Sequence, residues 1–323
     1  MTFRSEDGVL QGPDGSRVRY RRWLPDGDVR GTVQVVHGAS EHSGRYSRLA
    51  GALTDRGLAV YAMDLRGHGR TAESTGIGRF GGRSPGLGVD AVLGDVEALH
   101  LVMDERHPGV PRVQLGHSMG SIIALASAER NGADLAGLAL SGPIGVAPHL
   151  VDSVTALEEA VAAGAGDHAL DALGAFNESF EPARTRYDWL SRDPAEVDAY
   201  IADPLSGDEM PLTAAYAAGV FALAVGAATP DAVAALRDGL PVLLLSGELD
   251  PVGGSDAVQV TALARLFTER GLPVEQHVYP EARHEVFNEI NRDEVVGDLL
   301  GWLENRLPGE SPRTGLERRR GGT

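Results

Sequence analysis

Short apolar runs alternate with segments of helical periodicity along most of the chain. Six of these runs are bounded by Gly, Pro or Asp, which is typical of buried strands, and they cover 32–36, 58–62, 110–115, 135–140, 242–245 and 274–279. Ahead of them, Val9 and Val18 flank a Pro13-Asp14-Gly15 turn, which predicts an antiparallel hairpin. The pattern predicts an α/β fold with one mostly parallel central sheet flanked by helices.

The strand spacing is interrupted between Leu140 and Val242, where about a hundred residues are too many for a single crossover helix. The intervening residues are Ala-rich and helical in pattern, which predicts an inserted helical cap over 144–236. The core then occupies 1–143 and 237–306, and the aperiodic residues 307–323 are expected to form a disordered tail. Large apolar side chains of the cap either pack its interior or contact substrate: Trp189, Tyr200, Met210, Tyr216 and Phe221.

Composition removes several functions from consideration. Asp and Glu number 46 against 29 for Lys and Arg, and the net charge of −17 disfavours nucleic acid and anionic membrane surfaces as partners. The chain has no Cys and no Lys, so disulfides, thiolate metal sites and Schiff-base or P-loop chemistry are excluded. The N-terminus lacks a signal-peptide pattern, and no stretch reaches the ~20 apolar residues of a membrane span, so we expect a cytoplasmic protein without a transmembrane segment.

The candidate nucleophile is Ser118, in the motif Gly116-His117-Ser118-Met119-Gly120. Such a motif arises easily in a chain with 42 glycines, so its position carries the argument. It follows a predicted strand and opens a helical pattern, where a strained turn needs small neighbours and exposes the serine oxygen. The N–H of Met119, at the start of that helix, is predicted to stabilise an oxyanion.

A serine nucleophile needs a histidine base and an acid that orients it, and in this fold the base follows the acid along the chain. His284 lies in a loop after the last predicted strand, whereas His277 lies inside that strand. Asp250 lies in the turn between the run 242–245 and Pro251, a fixed turn that would hold a carboxylate, which favours it as the acid over Glu248 and Asp256. The predicted triad is Ser118, Asp250 and His284.

A second oxyanion donor is expected in the small-residue turn after the first buried run, and Ala39 N–H is the candidate there. His37, Glu41 and His42 have no further ligand at convincing spacing, so we predict neither metal nor cofactor. The G-x-G-x-x-G pattern at 76–81 lacks a preceding strand and is interpreted as a loop.

Residues in four segments resemble those of the monoglyceride lipase and lysophospholipase group of α/β-hydrolases. They are His37-Gly38 with 41–46, Asp64 with 67–69, the motif 116–120, and 190–192 with 196–198, Tyr200 and 203–205. The resemblance runs from the first hairpin to Leu303. It implies an α/β-hydrolase fold, a mobile apolar cap, a substrate with one fatty acyl chain, such as a monoacylglycerol or lysophospholipid, and no cofactor. The chain departs from the group at Ser121, in the loop 71–88 and beyond Leu205, where Met210 and Phe221 are candidates for reading acyl-chain length.

Other functions remain open on this fold. A thioesterase or a small-ester esterase would use the same triad. A prolyl aminopeptidase-like enzyme would need carboxylates for an amino terminus, for which Glu158, Glu159 and Asp193 are candidates. A noncatalytic ligand-binding protein is the least favoured, because all three triad members are present. The oligomeric state is left open.

Overall fold

Eight strands form one sheet in the computed structural model, which describes residues 4–81, 88–146, 150–171 and 173–307. They are β1 (Arg4–Gln11), β2 (Arg17–Leu24), β3 (Gly31–Val36), β4 (Leu58–Met63), β5 (Arg112–His117), β6 (Leu135–Ser141), β9 (Val242–Gly247) and β10 (Val274–Tyr279), while β7 (Ala169–Leu170) and β8 (Leu212–Thr213) form a separate pair. Across the residues described, no helix has both the length and the apolar character needed to cross a membrane. Apart from Leu307, the predicted tail lies outside the described residues.

The strand order is β1-β2-β4-β3-β5-β6-β9-β10, and the six predicted runs are the parallel strands β3 to β6, β9 and β10. The predicted hairpin is confirmed, with Gln11 opposite Arg17 beside the turn, and β2 joins β4 antiparallel. The β5 strand begins two residues later than predicted. Pro111, which has no N–H to donate, precedes it and only accepts a hydrogen bond from Thr32.

Helices cover both faces of the sheet, and the predicted fold class is confirmed. On one face lie α3 (Gly88–Arg106), α4 (Met119–Asn131) and α9 (Val258–Glu269), whose side chains Val92, Ile123 and Phe267 are fully buried. On the other face lie α1 (Ser47–Thr54) and α10 (Arg292–Glu304), which bury Leu53 and Trp302. A short helix, α2 (Ala72–Thr75), follows β4.

The segment between β6 and β9 contains α5 (Leu150–Ala160), α6 (Pro194–Ala202), α7 (Ala214–Ala227) and α8 (Pro230–Val233). Of these, α7 packs on α4 and buries Tyr216 and Val220 in the main core. A separate cluster forms around Trp189 and Tyr200 and includes Val252 from the loop after β9. The insertion is therefore anchored to the sheet domain through α7 and through the Trp189–Tyr200 cluster, and its division into a cap over 144–236 stays a prediction.

Candidate active site

Ser118 occupies the sharp turn between the end of β5 and the start of α4. Its backbone has φ 53° and ψ −123°, which is strained for a residue with a side chain. The flanking glycines make this turn possible, because a Cβ at Gly120 would overlap the Val36 carbonyl oxygen and one at Gly116 would overlap the Gly120 carbonyl oxygen. Ser118 N–H donates to Ser141 O at 2.9 Å, and the residue is half-buried.

His284 and Asp250 form a buried pair at the same edge of the sheet. His284 Nδ1 lies 3.0 Å from both carboxylate oxygens of Asp250, and each residue is only 1% exposed. Val252 N–H donates to Asp250 Oδ1 at 2.9 Å and fixes the carboxylate in the turn after β9. The glycine at position 142 permits this arrangement, because a Cβ there would lie 3.0 Å from His284 Nδ1.

The surroundings of the His284 imidazole raise its pKa and so favour proton uptake. Burial by itself lowers the pKa of His284, but the charge and hydrogen bond of Asp250, together with the charges of Glu285 and Glu41, leave that pKa raised above its ordinary value. The alternative acid Glu248 instead accepts a hydrogen bond from Glu281 N–H at 2.8 Å, and Asp256 lies at the start of the helical turn before α9. Asp250 is the carboxylate that the fold brings to His284.

Both predicted oxyanion donors border Ser118. Met119 N–H belongs to the first turn of α4, where backbone donors have no acceptor within the helix. Ala39 follows Gly38, at which a Cβ would lie 3.1 Å from Ser118 Cβ, so this loop passes directly beside the nucleophile. Ser40 next along the chain has φ 54°, which turns the loop. Both residues therefore lie next to Ser118, and their role as oxyanion donors stays a prediction.

The two histidines of the same loop are fully engaged with protein groups. His37 Nε2 accepts from Leu65 N–H at 2.9 Å, which leaves Nδ1 to donate to Gly38 O at 2.7 Å. His42 Nδ1 accepts from Gly44 N–H at 3.2 Å, and its Nε2 donates to Asp203 at 2.8 Å. Over the part of the chain described, no group of three or more His, Asp or Glu side chains is arranged to hold a metal ion.

The structure adds polar side chains that the sequence did not connect. Arg45 donates to Glu41 of its own loop at 2.8 Å and to both oxygens of Glu285 at 2.6 and 2.7 Å. Glu285 follows His284 and is 240 residues from Arg45. No spacing rule links residues so far apart, and the signal that the sequence does contain is the negative charge of Glu285 next to His284.

Residues of the segment between β6 and β9 contact the histidine. The Trp189 ring centroid lies 5.0 Å from that of His284, and Trp189 O accepts from His284 N–H at 3.3 Å. Met210 is buried after the turn at Gly207–Glu209, and Phe221 on α7 is half-buried and packs against the main core. The role of Met210 and Phe221 in binding an acyl chain stays a prediction.

Comparison with known proteins shows one matching family and several similar proteins. The family Hydrolase_4, described as serine aminopeptidase S33, matches residues 27–291. The chain is 35% identical over 308 residues to a monoacylglycerol lipase of Mycolicibacterium smegmatis, covering 92% of this chain and 96% of that one. It is 31% identical to human monoglyceride lipase, covering 87% and 88%. A thermostable carboxyl esterase from Bacillus coagulans, solved in complex with glycerol, superposes with TM-score 0.86 at 29% identity, covering 94% of this chain and 99% of that one.

Proposed function

Because this chain belongs to the Hydrolase_4 family (serine aminopeptidase, S33), we propose that it is a serine hydrolase that cleaves the ester bond of monoacylglycerols. The observation that carries the proposal is the strained Ser118 at the same edge of the sheet as the buried His284–Asp250 pair, in a chain similar over most of its length to monoacylglycerol lipases. The resemblance noted in the sequence is therefore confirmed at the level of the family.

In the proposed reaction, His284 Nε2 takes the proton of Ser118 Oγ as the oxygen attacks the ester carbonyl. Asp250 holds the Nδ1–H tautomer and stabilises the imidazolium, while Ala39 and Met119 N–H groups donate to the oxyanion. His284 then protonates the departing glycerol oxygen, which leaves the acyl group on Ser118. Water, deprotonated by His284, cleaves that acyl-enzyme and releases the fatty acid.

The arrangement of cap carboxylates supports ester rather than peptide hydrolysis. Glu158 and Glu159 are exposed on α5, where water solvates them. Asp193 caps α6 through Ala195 N–H and pairs with Arg292 at 2.9 Å. An aminopeptidase needs carboxylates free to bind a substrate ammonium group in an enclosed site; Asp193 is already paired, and Glu158 and Glu159 lie on an exposed helix face.

The second part of the proposal concerns which acyl compounds the enzyme prefers as substrates. We extend it to lysophospholipids, because they share a single acyl ester with monoacylglycerols. The similar carboxyl esterase favours a small-ester esterase as the second candidate, and a thioesterase would use the same groups. Hydrolysis of 1-oleoylglycerol, lysophosphatidylcholine, p-nitrophenyl acetate and an acyl thioester separates these four, since the preferred substrate has the highest kcat/KM.

The nucleophile and base are tested by Ser118→Ala and His284→Ala, each expected to lower 1-oleoylglycerol hydrolysis by roughly four orders of magnitude because triad members act as a unit. A fluorophosphonate probe should label Ser118 alone, and EDTA should leave activity unchanged. Ser127→Ala, on the same helix α4, serves as the matched control and should retain activity. Substantial hydrolysis by either triad variant would refute the mechanism.

Location and partners stay predictions. The −17 charge supports the expectation that nucleic acid is not a partner, because it repels phosphate groups. Fractionation of cells that express the protein tests the expected cytoplasmic location.

A further inference from the structure

Arg45 lies between two carboxylates in a region almost closed to water. Its guanidinium donates to Glu41 at 2.8 Å and forms a two-pronged contact with Glu285 at 2.6 and 2.7 Å. The three side chains are 11%, 4% and 5% exposed. Contacts of this kind are short, directional and little weakened by solvent, so they hold their partners in place.

Each carboxylate belongs to a different loop of the active site. Glu41 accepts Gly38 N–H at 2.5 Å and Tyr46 O–H at 2.8 Å, which fixes the backbone immediately before the oxyanion donor Ala39. Glu285 directly follows His284 and also accepts from Asn288 at 2.9 Å. Arg45 therefore joins the loop that carries the oxyanion donor to the loop that carries the catalytic base.

The cap contacts the same guanidinium. The Tyr200 ring centroid lies 4.7 Å from the Arg45 guanidinium carbon, and Tyr200 O–H donates to Ser40 O at 3.0 Å. Gly207 N–H donates to the same carbonyl oxygen at 2.8 Å. Tyr200, in the predicted cap, thus packs against Arg45 and helps to enclose the two ion pairs.

The cluster has one more negative than positive charge, and it lies beside the catalytic base. The charged and titratable groups that face His284 are Asp250, Glu285, Glu41 and His117, whose ring centroid is 4.8 Å from that of His284. Burial lowers the pKa of His284, and Asp250 first, then Glu285 and Glu41, raise it. Both glutamates stay ionised because the charge of Arg45 opposes the effect of burial and lowers their pKa.

We propose that Arg45 is a positioning residue for ester hydrolysis, which sets the Ala39 donor and His284 relative to Ser118 through Glu41 and Glu285. The inference rests on the proposed function, because it concerns how the same serine chemistry is aligned. The relative positions of these groups affect the rate of hydrolysis, because a misplacement of about 1 Å at the reacting atoms can lower the rate roughly a hundredfold.

The test compares Arg45→Lys with Arg48→Lys in steady-state hydrolysis of p-nitrophenyl butyrate and in thermal unfolding. Lysine keeps the charge but loses the planar fork, so it cannot bind Glu41 and both oxygens of Glu285 together. Arg48 is a matched control, since it also bridges a cap residue and the histidine loop, Glu196 at 2.6 Å and Asn288 at 2.7 Å, but from an exposed position. We expect Arg45→Lys to lower kcat roughly tenfold to a hundredfold with KM nearly unchanged, and Arg48→Lys to match the wild type.

A second variant, Glu285→Gln, keeps the shape and removes one charge near His284. We expect the acid limb of its kcat/KM profile to move to lower pH by roughly half a unit, because the imidazolium loses a favourable neighbour. A purely structural role would lower the melting temperature without moving that limb.

The inference is overturned if kcat of Arg45→Lys stays within about twofold of Arg48→Lys, or if the acid limb of Glu285→Gln does not move. Hydrolysis at the wild-type rate in Ser118→Ala would overturn both the proposed function and this inference. If hydrolysis depends on Ser118 but kcat of Arg45→Lys equals that of the wild type, only the inference is overturned.

Discussion

Replacing Asp250 by asparagine tests the proposed triad most directly. His284 Nδ1 lies 3.0 Å from both oxygens of Asp250, and one of these oxygens also accepts Val252 N–H at 2.9 Å. In Asp250→Asn, the amide oxygen is expected to keep the bond to Val252, which directs the new NH₂ group at His284 Nδ1. Two donors then face each other unless the imidazole moves its proton to Nε2.

That change of tautomer removes the base, because a protonated Nε2 cannot accept the proton of Ser118. Asp250 is 1% exposed, so water cannot easily take over its role. We therefore expect kcat to fall by about four orders of magnitude, which corresponds to about 5.5 kcal/mol of transition-state stabilisation. The side-chain volume is conserved, so the unfolding midpoint should change little by comparison.

The assay is steady-state hydrolysis of p-nitrophenyl butyrate, with circular dichroism to verify folding. Glu248→Gln is the matched control, because Glu248 lies two residues earlier and bonds Glu281 N–H at 2.8 Å rather than His284. It should stay within about threefold of the wild type. A loss below about tenfold in Asp250→Asn, or a larger loss in Glu248→Gln, would show that another carboxylate orients the imidazole.

Three further predictions concern specificity, pH and folding. Each two-carbon extension of the acyl chain should raise kcat/KM roughly tenfold until a peak is reached. Substitutions at Met210 or Phe221 should move that peak to another chain length. A steady decline in kcat/KM from p-nitrophenyl acetate to longer esters would contradict the lipid assignment. Because the pKa of His284 is raised, the imidazolium persists to higher pH, so kcat/KM should fall on acidification with a midpoint above about 6.5 in a pH–rate profile. Gly120→Ala should destabilise the fold by about 3 kcal/mol or more in thermal unfolding, since its Cβ would overlap a β3 carbonyl oxygen. Gly226→Ala, at an exposed position of α7 where a Cβ meets nothing, should not destabilise it.

The local sequence pattern predicted the strands of the sheet and identified the candidate triad residues. Buried parallel strands are short apolar runs, and their carboxyl ends carry the chemistry, so the positions of Ser118, Asp250 and His284 relative to the runs predicted their shared edge. The pair His284–Asp250 lies at that edge with Nδ1 3.0 Å from the carboxylate. These features depend on residues adjacent to a strand, which a single sequence displays directly.

Contacts between distant segments were decided only by the tertiary structure. Arg45 and Glu285 are 240 residues apart, and nothing in their spacing predicts an ion pair. Likewise α7, which has an apolar pattern on all sides and was assigned to the cap, packs on α4 and buries Tyr216 in the main core. An apolar face or a charge shows that a residue needs a partner, but the partner depends on how loops from different strands converge, and that convergence exists only in the folded chain.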